Sequence, residues 1–136
     1  MTLRAGVLAG ILLAAMTAAA SAHHTYAMFD REHRLTLVGE VKDLQFANPH
    51  SWLRVLVRGD QGQTIVWSFE MGPPGALKRQ GWTRNSVQVG DRVTLQYYPM
   101  RDGSAAGQLI SVTFPDGKVL AGGPTSLNAP TGSRTR

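Results

Sequence analysis

The sequence predicts a mainly β fold: a small five-stranded Greek-key barrel of the oligonucleotide/oligosaccharide-binding (OB) type, with one short helix between strands 3 and 4. Three observations predict it. Five separate runs alternate apolar and polar residues, the period-2 signature of half-buried strands. Glycine and proline clusters punctuate those runs at turn spacing. One stretch, Ala76-Leu77-Lys78-Arg79-Gln80, replaces the alternation with good helix formers and falls after the third run. Three strands, a helix and two strands is the OB order, and closure into a barrel removes exposed sheet edges. An open β-sandwich is the competing arrangement.

The first strand starts at Leu35, alternates through Val41 and resumes to Phe46, with Gly39 inside it as a candidate bulge or bend. Asn48-Pro49-His50 ends it, because Pro49 has no N–H to give a ladder. The second strand is Ser51 to Arg58, with Leu53, Val55 and Val57 on one face and Trp52, Arg54, Leu56 and Arg58 on the other. Gly59-Asp60-Gln61-Gly62 reads as a hairpin loop. The third strand runs from Gln63 to Phe69, with Ile65, Trp67 and Phe69 sharing a face. Gly72-Pro73-Pro74-Gly75 stops it; Pro74 suits a helix start and Gly81 a helix stop, and Trp82 is placed to plug one end of the core. After a turn at Gly90-Asp91, the fourth strand is Arg92 to Tyr98 with Val93, Leu95 and Tyr97 inward. A loop at Arg101-Asp102-Gly103-Ser104 leads to the fifth, Gln108 to Phe114, with Ile110, Val112 and Phe114 on one face. Lys118 to Leu120 adds a short pairing, and Ala121 to Arg136, rich in Gly, Pro, Ser and Thr, is expected to be disordered.

The start of the chain reads differently. Arg4 precedes an apolar run from Gly6 to Ala20 that ends in Ala20-Ser21-Ala22, the pattern of a secretory signal peptide with a small-residue cleavage site. The run is short and alanine-rich for a membrane span, which takes about 20 apolar residues; a retained anchor is the alternative. The expected organisation is therefore a signal peptide at 1–22, an N-terminal arm at 23–34, the barrel at 35–120 and a tail at 121–136. The chain has no cysteine, so an exported form uses no disulfides and is stabilised by packing, which fits a bacterial periplasm. The net charge of +5 is spread along the chain, without the basic block of a nucleic-acid binder. Processing leaves no stable membrane span.

His23-His24, Phe29-Asp30, Asn48-Pro49-His50, Trp67 with Glu70, Gly81-Trp82, Gly90-Asp91 and Arg101-Asp102-Gly103 form an ordered series. It resembles a family of small exported bacterial proteins that carries only a domain-of-unknown-function label. The similarity runs from His23 to about Leu120 and leaves out the tail. It implies export and a single small β domain, and it supplies no activity.

The chemistry of the site is carried by histidine. Cleavage after Ala22 makes His23 the first residue, so its free amino group and its ring nitrogen can both face one metal ion. A second imidazole, from His50 or alternatively His24, completes a three-nitrogen set. Such nitrogen-rich sites suit Cu(II), which also heads the divalent affinity order. Consecutive side chains in an extended segment point apart, so His50 is the better partner for His23. Cleavage one residue earlier would put His24 third, in position for copper chelation through backbone nitrogens. The competing reading is a mobile arm whose histidines are merely tolerated. Glu70 is placed to orient an imidazole from behind, or else to pair with Arg79. Met28 and Met100 read as packing residues and His33 as surface.

Trp52 and Trp82, with Trp67, are candidates for a stacking surface of the kind OB folds use for ligands. The serines lack a nucleophile elbow, and no phosphate-cradling loop or catalytic carboxylate pair is present, so the sequence does not read as an enzyme. Two functions follow. One is a periplasmic protein that binds a small ligand or a metal, copper in particular. The other is an accessory or structural module of the cell envelope that meets a protein partner and has no metal site.

Overall fold

The computed structural model describes residues 27–123. The expected signal peptide, His23, His24 and the tail beyond Gly123 lie outside the described residues. The elements are β1 (Leu35–Gln45), β2 (Ser51–Arg58), β3 (Thr64–Met71), α1 (Pro74–Arg79), β4 (Arg92–Pro99), β5 (Ala106–Thr113) and β6 (Val119–Ala121). The strands are ordered β3-β2-β1-β4-β5-β6, and a parallel pairing of β3 with β5 closes the first five into a barrel. This is the expected architecture, with the single short helix between β3 and β4.

The long strand β1 serves two partners. Its first half pairs with β4, from Leu35 opposite Tyr97 to Glu40 opposite Arg92; its second half pairs with β2. The β1–β2 register shifts between Val41 and Asp43, so the extra residue is Lys42 rather than Gly39. Gly39 has a different role. A Cβ there would sit 2.9 Å from Val55 Cγ2 and 3.1 Å from the Leu56 carbonyl oxygen, so the missing side chain lets β1 lie close to β2 where it changes partner.

Leu53, Val55, Phe69, Val93, Leu95 and Val112 fill the barrel with no more than 1% of their surface exposed. Trp67, Phe69 and Tyr97 pack there as a ring cluster, with Phe69 and Tyr97 edge to face at 5.1 Å. The expected inward face of the fifth strand is corrected. The β4–β5 register shifts at Tyr97, which leaves Ile110 as an extra residue in β5. A bulge reverses the alternation, so Leu109 and Val112 point into the barrel while Ile110 points out.

Outside the barrel, Ile110 joins Tyr98 and Phe29 in a second apolar cluster, edged by Met100. The arm is thus anchored at its lower end. Phe29 is 3% exposed, Asp30 N–H donates to the Pro99 carbonyl at 2.8 Å, and Arg101 N–H donates to the Met28 carbonyl at 2.9 Å. Met28 itself is half exposed and is not a packing residue. The beginning of the expected tail is also built in: Ala121 belongs to β6, and Gly122 accepts from Gly72 N–H and donates its own N–H to the Ile110 carbonyl.

Gly107 lies where the barrel closes, paired with both Phe69 of β3 and Pro99 of β4. A Cβ there would meet the Tyr98 carbonyl oxygen and Tyr97 Cδ2, each at 2.6 Å. Backbone on one side leaves no room to relax, so Gly107→Ala is expected to destabilise the fold by about 3 kcal/mol, the upper end of ordinary overpacking costs. Urea unfolding checks this, and a midpoint equal to that of the parent would contradict it.

Candidate functional site

The turn before β2 is fixed from below. Ser51 is fully buried; its N–H donates to the Gly72 carbonyl at 3.2 Å, and its Oγ accepts from Ala47 N–H at 3.3 Å. The Asn48–Pro49 peptide is cis. His50 is carried between this turn and the anchored Ser51, at the end of β2 that lies against the end of β3. Its ring is about one-third exposed, and Nδ1 lies 3.4 Å from Glu70 Oε1. That is a contact of opposite polarity, a little longer than an ordinary N–H···O bond of about 2.7–3.2 Å.

Glu70 is a buried residue, 7% exposed, on the side of β3 opposite the core residues Phe69 and Met71. Burial pushes its carboxyl pKa above the ordinary glutamate range, and the charge of His50 partly offsets the rise. A buried carboxylate of this kind favours a positive partner. Glu70 pairs across the sheet with Trp52 on one side and Gln108 on the other, and Gln108 in turn pairs with Tyr98. Cross-strand partners share a face, so Trp52, Glu70, Gln108 and Tyr98 form a row on the outside of the barrel. Gln108 was not expected from the sequence. It is 8% exposed, and its Oε1 has no hydrogen-bond partner. The run Gln108-Leu109-Ile110 offers no signal for it, since a polar residue opening a strand normally reads as solvated.

The structure brings His50, Glu70 and Trp52 together and leaves Trp82 elsewhere. Trp82 is 1% exposed and its Nε1–H donates to the Ala121 carbonyl at 2.7 Å, so it plugs the core and presents no face to a ligand. Trp67 lies against Phe69 and Tyr97 inside the barrel. The three-tryptophan surface is therefore reduced to Trp52, half-buried beside Glu70. Arg79 does not pair with Glu70. His33 is a surface residue whose Nδ1 lies 2.7 Å from Asp30 Oδ2, and this contact, more than any other, lowers the Asp30 pKa.

Among the described residues, no group of three or more His, Cys, Asp or Glu side chains is placed to hold a metal ion. Among the described residues His50 is the one imidazole at the row; His23 and His24 lie outside them. Most of the other residues in the ordered series have structural work. Gly81 and Gly90 turn the chain at φ of 94° and 93°. Arg101 holds the arm, its Nε donating to the Ala27 carbonyl at 3.2 Å. Asp102 Oδ1 accepts from Ser104 N–H at 2.9 Å and so shapes the loop. His50 and Glu70 instead contact each other.

Residues 10–109 match the sequence pattern of DUF6152, a family of unknown function. The chain belongs to the DUF6152 family. The matched span takes in His23, His24, the Asn-Pro-His turn and Glu70, and it ends within β5, short of the Leu120 to which the resemblance was expected to run. No curated protein matches the sequence.

Within this DUF6152 barrel, Glu70 gives a pH test of the site. Its folded-state pKa is raised, so the folded chain holds the proton more tightly than the unfolded one. The stability this contributes is present in full below the ordinary glutamate value, 4.5, and is lost as pH rises through the folded value. Glu70→Gln cannot ionise and escapes that loss. In metal-free protein, the variant's stability relative to the parent is expected to rise between pH 4 and pH 7 in chemical unfolding. A fall over that interval would contradict the raised pKa.

Proposed function

We propose that the protein is an exported periplasmic metal-binding protein that holds copper through the mature N-terminal His23 and through His50, with His24 as an alternate ligand. In this reading it acts by binding and not by catalysis. The observation that carries the reading is the buried Glu70 carboxylate 3.4 Å behind His50 Nδ1. A metal-ligating histidine commonly has its second nitrogen turned to a carboxylate, which fixes the ring and raises its basicity. Here that leaves Nε2 for the metal, on a ring that is partly open to solvent.

Chain length is compatible with the arm's contribution. Ala27 is tethered by Arg101, and the four residues from there back to His23 span up to about 14 Å when extended. His23 would supply its amino group and a ring nitrogen, and His50 an imidazole, a donor set that suits Cu(II). Met100 takes no part, because it packs against the cluster around Phe29. Glu70 would neutralise part of the metal's charge through the imidazole.

Copper titration of signal-processed protein, with the N-terminus verified by intact mass, tests the reading. Stoichiometric binding that is lost in His50→Ala supports it. Weak binding unaffected by that change would instead leave the envelope-module alternative, in which Trp52 meets a protein or organic partner without metal. Among the described residues no helix is long and apolar enough to cross a membrane.

A further inference from the structure

A concave site lies beside the Asn48–Pro49 turn. A cavity of about 300 Å³ is bounded by Phe46 and Ala47 at the end of β1, Asn48 of the turn, Pro74 and Lys78 of α1, and Thr83 and Arg84 after it. Its volume is at the low end of small-molecule sites, which run from about 300 to 1,000 Å³. Two features of its lining are informative. Both charged residues are cations, and no carboxylate lines the cavity. Among the described residues, neither Lys78 nor Arg84 is in an ion pair. The remainder combines an apolar floor, Phe46 and Pro74, with neutral polar groups on Asn48 and Thr83.

The walls are already in place. Phe46 packs against the barrel core. The Arg84 guanidinium carbon lies 5.8 Å from the centre of the Phe46 ring, a cation–π contact that places the group over the apolar floor. The loop behind Arg84 is braced by Thr83 N–H donating to Ser86 Oγ at 2.8 Å and Asn85 N–H donating to Thr83 Oγ1 at 3.2 Å. Lys78 projects from the last turn of α1.

We infer that this cavity binds a small amphipathic organic anion, an aryl or short acyl carboxylate, with its apolar body on Phe46 and Pro74 and its carboxylate between Lys78 and Arg84. The guanidinium offers the paired donors that match a carboxylate, and the ammonium supplies a second positive charge. The site is independent of the metal reading, since it uses none of the histidines or Glu70.

The test is an amide NMR titration of the signal-processed protein in chelator-treated buffer, with benzoate, benzylamine and inorganic phosphate as probes. Benzoate is expected to shift the amides of Ala47, Lys78 and Arg84 and to bind at least about tenfold more tightly than either other probe, tenfold being about 1.4 kcal/mol. The double variant Lys78→Gln/Arg84→Gln, confirmed as folded by its melting curve, is expected to weaken benzoate at least about tenfold. No shift with benzoate, equal binding of benzylamine, or unchanged affinity in the double variant would overturn the assignment. Phosphate binding as tight as benzoate would overturn the apolar half of it.

Discussion

His50→Ala is expected to lower the copper affinity of the signal-processed protein at least about a hundredfold. The change removes one nitrogen of the proposed three-nitrogen set and leaves the Glu70 carboxylate without its imidazole. Losing a group that only orients a ligand typically costs about 10–100-fold in metal affinity, and losing the ligand itself costs no less. Glu70→Gln belongs to the first case, so its loss is expected to fall within about 10–100-fold. The ordering of the two variants is informative. A site that used Glu70 directly and His50 only as a neighbour would reverse it. His33→Ala is the control, because His33 is occupied with Asp30 on the exposed arm; its copper affinity is expected to equal that of the parent. Competition titration with a chromophoric copper chelator reads all three.

The second large effect is on stability. Trp82→Ala is expected to cost about 3–5 kcal/mol, the range for truncating a large buried aromatic. Trp82 is 1% exposed and belongs to the main core with Leu77 and Leu120. It also donates to the Ala121 carbonyl, so the indole ties β6 to the segment after the helix. Trp82→Phe keeps much of the packing and loses the bond, and a loss of about 1 kcal/mol is expected there. Urea unfolding of the three proteins separates packing from hydrogen bonding. A Trp82→Ala protein as stable as the parent would mean that the indole is not the plug described here.

The strands that could be read from the sequence are those whose alternation is unbroken. In β2, the residues Leu53 and Val55 expected inside are buried, and Trp52 and Arg54 lie on the other face. In β4, Val93, Leu95 and Tyr97 point inward as their spacing dictates. The fifth strand misleads because one extra residue at Ile110 reverses the phase, and nothing in the run Leu109-Ile110-Ser111-Val112 marks it. Gly39 signals a special position, but the feature it serves is close approach to Val55, while the register shift falls beyond Val41. Phe29 was hidden in a polar arm. Its burial depends on Tyr98 and Ile110, which come from strands far along the chain.

The site was legible in its parts. His50 stands out because a turn does not need an imidazole, and Glu70 because it closes a strand of aromatic and apolar residues. Their contact is a product of the β2–β3 register, which sets Trp52 opposite Glu70 and so carries His50 to the same end. Gln108 could not be found this way, since its burial beside Glu70 arises only when β5 closes the barrel against β3. Trp82 was equally ambiguous. The residues after a short helix can face a ligand or the core with the same sequence, and here the core takes the indole.

The most direct test of the copper reading is at the amino terminus. Two otherwise identical proteins are compared by copper titration, one beginning at His23 and one carrying a single extra alanine before it, each verified by intact mass. Tight one-to-one binding is expected in the first and a loss of at least about tenfold in the second, because the extra residue takes the terminal amino group away from the His23 ring nitrogen. Equal affinity in the two proteins would contradict the claim that the mature N-terminus and His50 form one site.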